Sequence, residues 1–254
     1  MVILQLGILE LNKMSSLALK MTPQERMARS VQKKAILAGF LASGEVYTTL
    51  KVVAVLLGTS ERNALRLLQG MVKEKLLRID ERSVGYGARI KIYGATNFAL
   101  CLSNAHPMIE EFHVGKLNLS FLNHHIHTQL IRIKAERNGW NGWVPGRVLY
   151  KQAGMKKIPD ALATRPDGHR AAFEVELNLK SKSRFSVVLA QHLSQIVNQR
   201  KYDLVYYITP HKAALDRAFS AVQYVVIDGK KITLNDSHKA RFKTFDIKTW
   251  KGEQ

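Results

Sequence analysis

The spacing of apolar residues changes along this chain, and the change limits the folds available to it. In the first third, apolar side chains recur at three- and four-residue steps, which is the pattern of a helix with one buried face. From residue 146 onward, short apolar runs bounded by Gly and Pro are typical of strands. The chain has 254 residues, enough for two cores. We therefore expect an α/β protein, α+β overall, with two domains.

The first domain is expected over residues 23–105, after an N-terminal arm of residues 1–22. Its predicted elements are a helix at 24–42, a short helix within 46–57, a third helix capped by Thr59 or Ser60, and strands at 76–79 and 89–93. A hairpin with the tip Gly85-Tyr86-Gly87 joins the strands. This order resembles a winged helix-turn-helix, in which the third helix enters the major groove of DNA and the hairpin touches the backbone.

The predicted third helix and hairpin carry several positive charges. The candidate DNA contacts on them are Arg62, Asn63, Arg66, Arg82, Arg89 and Lys91. The whole chain has 39 Lys and Arg against 20 Asp and Glu, and this net charge of +19 favours a polyanionic partner. The alternative is an ordinary solvated helix face, as most charged helix faces are.

An anionic membrane fits the positive charge less well than nucleic acid does. A spanning helix needs about 20 apolar residues, and the sequence contains neither such a run nor a basic amphipathic helix. The apolar stretch from Val2 to Leu9 lacks the basic region of a signal peptide. The single cysteine, Cys101, agrees with a reducing compartment. We expect no membrane insertion and a location in the bacterial cytoplasm.

The second domain is expected over residues 110–254. Its predicted elements are a helix at 116–138, strands at 146–150, 157–164 and 171–179, a helix at 184–199 and a strand at 203–209. A further helix at 212–222 and strands at 224–227 and 231–234 complete the chain. The order helix, three strands, helix, strand resembles that of restriction-endonuclease-like nucleases, which have a mixed sheet.

Three carboxylates fall on the second and third of these predicted strands. Asp160 lies on one strand, and Glu174 and Glu176 share one face of the next, because side chains alternate in a strand. Three crowded carboxylates repel one another unless a hard cation neutralises them, so Mg²⁺ or Mn²⁺ is the expected cofactor. Such an ion activates a water and stabilises charge on a phosphate under attack. The alternative is a set of exposed carboxylates in ordinary ion pairs.

With Pro159-Asp160 and Glu174, the chain resembles the PD-(D/E)xK nuclease superfamily. Glu176 stands where that superfamily usually has lysine, and Lys180 is the candidate replacement. More narrowly, the chain resembles the replication-relaxation family and the MobC-type relaxases of mobilisable plasmids. That resemblance implies nicking of one strand of double-stranded plasmid DNA at a transfer origin, partly single-stranded around the nick. It also implies accessory mobilisation proteins and a coupling protein as partners.

The helix predicted ahead of the strands carries a polar stripe. His125, Gln129 and Arg132 share one flank with Glu136, and beside the acidic strands they could position the water or a phosphate oxygen. A solvated helix edge with an Arg132–Glu136 pair explains the same stripe. Around the later helix, Lys182 and Arg184 are expected to follow the phosphate backbone.

The attacking group is expected to be water rather than a tyrosine. Tyr202, Tyr206 and Tyr207 lie at or beside the predicted fourth strand, where tyrosine is a good strand former and packing explains it. Three functions remain open: a metal-dependent nicking relaxase, a restriction- or transposition-type nuclease that cuts both strands, and a DNA-binding regulator with an inert nuclease domain.

Overall fold

The structure is a computed structural model, and it describes residues 21–83, 88–151, 155 and 157–252. The chain divides into two compact units, residues 1–137 (unit 1) and residues 138–254 (unit 2). The division falls later than the boundary expected near residues 105–110, so the helix predicted at 116–138 belongs to unit 1. The N-terminal arm and the tip Gly85-Tyr86-Gly87 lie outside the described residues.

Unit 1 consists of helices and one small sheet. In chain order its elements are α1 (Pro23–Phe40), a π-helical turn (Leu41–Glu45), β1 (Tyr47–Thr49), α2 (Leu50–Leu56), α3 (Glu61–Lys73), β2 (Leu77–Ser83), β3 (Arg89–Ala95), α4 (Asn97–Leu102), a 3-10 turn (Leu119–Phe121) and α5 (Leu122–Arg137). Thr22 begins α1 through a capping box with Glu25, and Ser60 caps α3 by accepting a bond from the Asn63 amide. Neither β1 nor α4 was predicted from the sequence.

The sheet of unit 1 is antiparallel, with the strand order β1-β3-β2. Leu37 and Phe40 of α1 pack with Leu68 and Met71 of α3 in one apolar core. Gly94 of β3 is required by packing, because a Cβ there would lie 2.0 Å from the Phe112 ring. The segment after α4 is thus pressed closely against the sheet.

Unit 2 is built around a five-stranded mixed sheet. Its elements are β4 (Asn141–Pro145), α6 (Gly146–Lys151), β5 (Ala161–Thr164), β6 (Arg170–Val175), α7 (Lys182–Val197), β7 (Leu204–Thr209), α8 (Lys212–Ser220), β8 (Tyr224–Ile227), β9 (Lys230–Thr233), α9 (Asp236–Lys239) and β10 (Phe242–Asp246). The sheet order is β10-β7-β6-β5-β4. β4 pairs antiparallel with β5, and β5 pairs antiparallel with β6. In contrast, β6, β7 and β10 run parallel, and α7 connects β6 to β7.

The fold confirms a mixed α/β chain but corrects the start of the sheet. The strand predicted at 146–150 is wrong, because Gly146–Lys151 is helical and the first strand is Asn141–Pro145. This strand was not predicted because it contains Gly142, which has a positive φ of 63° and lies at a register shift in the pairing with β5. Glycine at such an irregularity looks like a turn residue in the sequence.

Among the helices of the described ranges, none is long and apolar enough to cross a membrane.

Candidate active site

Asp160 lies immediately before β5 and is fixed against β6. Its amide donates to the Phe173 carbonyl at 3.0 Å, and its Oδ2 accepts from the Val175 amide at 2.7 Å. Both bonds reach the residues on either side of Glu174. The antiparallel register of β5 and β6 therefore holds the Asp160 carboxylate at the end of β6, as the hairpin geometry predicted.

Glu174 of β6 is a buried carboxylate, with 4% of its surface exposed. Its Oε1 lies 2.6 Å from Lys157 Nζ and 3.1 Å from His192 Nε2. Burial opposes ionisation, but the hydrogen bonds and charges of His192 and Lys157 outweigh it and lower the pKa of Glu174 to about 2. The side chain is thus a fixed anion inside the sheet.

His192 of α7 continues this hydrogen-bonded chain away from Glu174. It is fully buried, and its Nδ1 lies 2.6 Å from the Tyr202 hydroxyl. Burial, with the charge of Glu174, raises the pKa of Tyr202 well above its usual range, so Tyr202 stays a phenol and can donate to Nδ1. The other ring nitrogen, Nε2, lies 3.1 Å from Glu174 Oε1, so the imidazole bridges Tyr202 and Glu174.

Glu176 and Lys180 lie just beyond β6. The Glu176 amide donates to the Ile208 carbonyl at 3.0 Å, and its carboxylate pairs with Lys180, four residues later. Burial lowers the pKa of Lys180, while the charges of Glu174 and Asp160 act in the opposite direction. The Lys180 ammonium therefore lies in the field of both acids.

The predicted trio does not converge as three ligands. In the part of the chain that the structure describes, no group of three or more His, Cys, Asp or Glu side chains could hold a metal ion. Glu176 faces Lys180, which leaves Asp160 and Glu174 as the acidic pair. Their charges act on the same neighbours, since both also raise the pKa of Tyr207, after the larger effect of its burial.

This acidic pair fits a hard, oxygen-seeking cation that keeps part of its own hydration. Mg²⁺ is commonly held by one or two carboxylates together with water and substrate phosphate, so a third side chain is unnecessary. Glu174 and Asp160 would be the ligands, and Lys157 would have to leave Glu174 Oε1 for an ion to bind there. Glu176 is the one residue of the trio that this arrangement does not use.

The polar stripe of α5 was predicted to be either a catalytic flank or a solvated helix edge, and the structure gives it another role. Gln129 is fully buried, donates to the Tyr47 carbonyl at 2.6 Å and accepts from Thr48 Oγ1 at 2.9 Å. His125 Nε2 lies 3.2 Å from the same Tyr47 carbonyl. Because these polar atoms bind backbone and side chains of unit 1, the stripe is neither a catalytic flank nor a solvated edge.

Arg132 completes the same buried seam. Its guanidinium lies 3.0 Å from Glu45 and 2.8 Å from Glu136, and it stacks 4.5 Å above the centre of the Phe40 ring. Only 3% of Arg132 is exposed, so the predicted contact with a phosphate oxygen is wrong for this arrangement. The Arg132–Glu136 pair predicted from the sequence is present, but it is buried.

The predicted DNA contacts differ in whether their side chains are exposed or paired with a carboxylate. Arg62, Asn63 and Arg66 are exposed on α3. On the hairpin, Arg82 pairs with Asp80 at 2.8 Å and Arg89 lies 3.5 Å from Glu81, whereas Lys91 is exposed. Lys182 and Arg184 are exposed in the first turn of α7. The hairpin is therefore less positive than its sequence indicated.

Three residues around the acids were not predicted from the sequence, namely Lys157, His192 and Gln195, and Tyr202 was predicted only as a packing residue. Gln195 is fully buried on α7 and donates to the Lys157 carbonyl at 2.7 Å, so one helix orients both Glu174 and the segment beside it. A signal for His192 was present, because a histidine stands within the apolar stripe of α7 beside Leu189, Leu193 and Ile196. Lys157 had no comparable signal, since lysines are common throughout this chain.

Tyr202, Tyr206 and Tyr207 are all buried, as the packing interpretation predicted, with 2%, 0% and 0% of their surfaces exposed. Burial raises the pKa of each phenol, which opposes a role as attacking phenolate.

No family model matches this chain, and neither a curated protein nor a solved structure matches it significantly. The geometry of the two units is therefore what bears on function.

Proposed function

We propose that this chain is a metal-dependent DNA endonuclease whose cutting site is built on Asp160 and Glu174. The observation that carries this proposal is the buried, ionised Glu174 fixed beside Asp160 at the ends of paired strands, with Lys180 in the field of both. A fold gains little stability from burying a carboxylate when a packed apolar residue would serve as well. A charge kept under those conditions is a candidate for chemistry.

The topology of unit 2 supports this reading. Three antiparallel strands, β4 to β6, precede a helix and a parallel neighbour, β7, and this is the arrangement expected of a nuclease-like core. Asp160 immediately precedes the second of these strands and Glu174 lies on the third, an arrangement that agrees with the resemblance to PD-(D/E)xK nucleases. In unit 1, the order helix, strand, helix, helix and hairpin supports a winged helix that presents α3 to the major groove.

The side chains of unit 2 suggest a division of labour. Mg²⁺ or Mn²⁺ held by Asp160 and Glu174 would supply a polarised water and neutralise charge on the phosphate. His192 holds the Glu174 carboxylate in position, and Lys180 supplies a cation for the oxygen that gains charge. Lys157 neutralises Glu174 before the cation binds.

Nicking is the narrower proposal. A single cutting site built on Asp160 and Glu174 would cut one strand in each encounter. Nicking of plasmid DNA at a transfer origin, with accessory mobilisation proteins and a coupling protein, rests on the resemblance to plasmid relaxases. Its setting would be the bacterial cytoplasm.

A DNA-binding regulator is the second candidate, and one observation favours it. Glu174 is paired with Lys157 and Glu176 with Lys180, which would suit a site that no longer binds metal. Such a protein would bind DNA equally well with and without Mg²⁺.

Supercoiled plasmid that carries a candidate transfer origin separates the possibilities. We expect Mg²⁺-dependent conversion to open circles, none in EDTA, and none of a matched plasmid without the origin. Linear product would indicate a nuclease that cuts both strands. Binding without any conversion, in Mg²⁺ or Mn²⁺, would contradict the enzyme and support the regulator.

A further inference from the structure

A broad groove of about 920 Å³ lies on unit 1 between α1 and α3. One face of α1 forms one wall, and the first half of α3 with the turn before it forms the other. The groove lies entirely within unit 1, so its shape depends on the packing of Leu37 and Phe40 against Leu68. It does not involve the acidic pair of unit 2.

The walls of this groove are strongly positive. Arg26, Arg29 and Lys33 recur along one face of α1 at three- and four-residue spacing, and Lys34 and Arg66 add two more cations. Lys34 is neutralised by Glu74. Among the residues that the structure describes, the other four cations have no carboxylate within ion-pair distance. A solvated helix face that served only solubility would mix both signs of charge.

Arg29 and Lys33 are partly buried cations that lie close to each other. Burial lowers the pKa of Lys33, and the nearby Arg29 guanidinium lowers it further. The Nε of Arg29 is buried and makes no hydrogen bond within the described ranges, and its Nη1 meets only the weak acceptor Met21 Sδ, at 3.6 Å. A buried donor left unpaired costs free energy, which an incoming anion would recover.

The beginning of α3 adds to the positive potential. This helix has 13 residues, and its first turn, with Ser60 and Asn63, lines the groove. The helix dipole favours negative charge there, and within the helix that first turn holds one carboxylate, Glu61, while Ser60 accepts from the Asn63 amide. The cations of α1 therefore face the end of α3 that attracts anions.

We infer that the α1–α3 groove binds the phosphate backbone of double-stranded DNA, beside the bases that α3 reads. The inference rests on the DNA-binding part of the proposed function and is independent of cleavage. Residues 26 to 33 extend about 10 Å along α1, which matches the axial length of roughly three phosphates on one strand. Arg26, Arg29 and Lys33 would then contact successive phosphates.

Salt dependence of binding tests this inference. Affinity of the full chain for a labelled 30-base-pair duplex would be measured by fluorescence anisotropy, in EDTA, over a range of NaCl concentrations. Each phosphate contact contributes about 0.9 to the slope of log affinity against log salt. The triple variant Arg26→Gln, Arg29→Gln, Lys33→Gln should therefore bind with a slope shallower by about 2 to 3.

A matched control removes the same charge elsewhere. Lys230, Lys243 and Lys248 are exposed in unit 2 and outside both proposed sites, and the triple variant Lys230→Gln, Lys243→Gln, Lys248→Gln should keep the wild-type slope. Equal slopes for the wild type and the α1 variant would overturn the groove assignment. An equally shallow slope in the two triple variants would also overturn it, because the change would then reflect net charge alone.

Protection from acetylation locates the contact directly. The duplex should slow acetylation of Lys33, read by mass spectrometry, while Lys230 reacts at an unchanged rate. If an acidic peptide such as poly-Glu protects Lys33 and the duplex does not, the groove binds protein and the inference fails. Absence of any duplex binding by the wild type would instead refute the DNA-binding part of the proposed function.

Discussion

At the scale of single residues, the central question is how β6 keeps a buried carboxylate charged. Glu174 has almost no contact with solvent, and an unpaired charge at that depth would take up a proton. His192 and Lys157 both contact Glu174 Oε1 and keep the carboxylate ionised. The same pair fixes the carboxylate in space, which is what a metal ligand requires before the ion arrives.

The pH dependence of stability should report this charge. The pKa of Glu174 is lowered from 4.5 to about 2, so the folded state favours the anion. The stability that this gives is complete above pH 4.5 and is lost as the pH falls toward 2. The free energy of unfolding of the wild type should therefore exceed that of Glu174→Gln by more at pH 6 than at pH 3.

All three tryptophans, Trp140, Trp143 and Trp250, lie in unit 2, so urea unfolding followed by tryptophan fluorescence reports the correct unit. A difference between the two proteins that stays constant from pH 6 to pH 3 would show that Glu174 is not held as an anion.

His192 should matter to metal binding rather than to folding alone. Replacing it with Phe keeps the ring volume but removes the donor to Glu174, and loss of such a supporting bond costs about 10- to 100-fold in metal affinity. His192→Gln restores a donor and should recover part of that loss. Mn²⁺ binding followed by electron paramagnetic resonance measures both variants. If His192→Phe binds Mn²⁺ as the wild type does, His192 has no positioning role.

The sequence predicted Asp160 and Glu174 as neighbours because strand alternation and a tight hairpin determine such neighbours locally. Lys180 was predicted only as a replacement for the lysine that the family resemblance implies. Lys157, His192 and Tyr202 could not be assigned in this way. His192 reaches Glu174 because α7 packs on the sheet, Tyr202 contacts His192, and Lys157 approaches Glu174 from the segment before β5; such packing joins residues that are distant in sequence. The orientation of Glu176 toward Lys180 is equally a result of the chain's course after β6.

At the scale of elements, α5 shows how a polar stripe can belong to a core. Gln129 and Arg132 bind the π-helical turn and β1, where Val46 has a positive φ of 64°, unusual for a β-branched residue. Such a strained residue persists only where its surroundings hold it. The buried seam of α5 supplies contacts on either side, at Glu45 and Tyr47.

Loss of Arg132 should therefore destabilise unit 1. In Arg132→Ala the buried Glu45 loses its guanidinium partner, and breaking a buried pair costs about 3 to 5 kcal/mol. Arg62→Ala removes an exposed arginine from the same unit and should change stability by no more than about 0.5 kcal/mol.

Far-UV circular dichroism in urea detects this loss, with tryptophan fluorescence as the internal reference for unit 2. An Arg132→Ala protein as stable as Arg62→Ala would show that the seam contributes little, and would reopen a ligand-binding role for Arg132.

Element prediction succeeded where local chemistry determines the boundary. The helix start at Ser60 follows from a capping side chain, and the hairpin between β5 and β6 follows from its turn sequence. β4, which contains a glycine with positive φ, was not predicted, and neither was β10. That last strand pairs in parallel with β7, and such long-range pairing leaves no local signal.

At the scale of the whole molecule, the structure shows where several of the cations behind the net charge of +19 lie. Unit 1 carries the cations of α3 and of the α1–α3 groove, and unit 2 carries Lys182 and Arg184 at the start of α7. Buried carboxylates are confined to structural or candidate catalytic positions in the described residues, namely Glu45, Asp80 and Glu174. This distribution of positive charge suits a protein whose surface meets a polyanion.

The measurement that tests this account most directly is nicking of supercoiled plasmid in Mg²⁺ by Asp160→Asn beside Asp167→Asn. Asp167 lies on the hairpin between the same two strands and pairs with Arg165, so it controls for charge and for location. We predict that Asp160→Asn loses about 100-fold or more of the wild-type rate, the loss expected when a metal ligand is removed, while it keeps its affinity for DNA. Asp167→Asn should nick at the wild-type rate. Wild-type nicking by Asp160→Asn would contradict the placement of the active site.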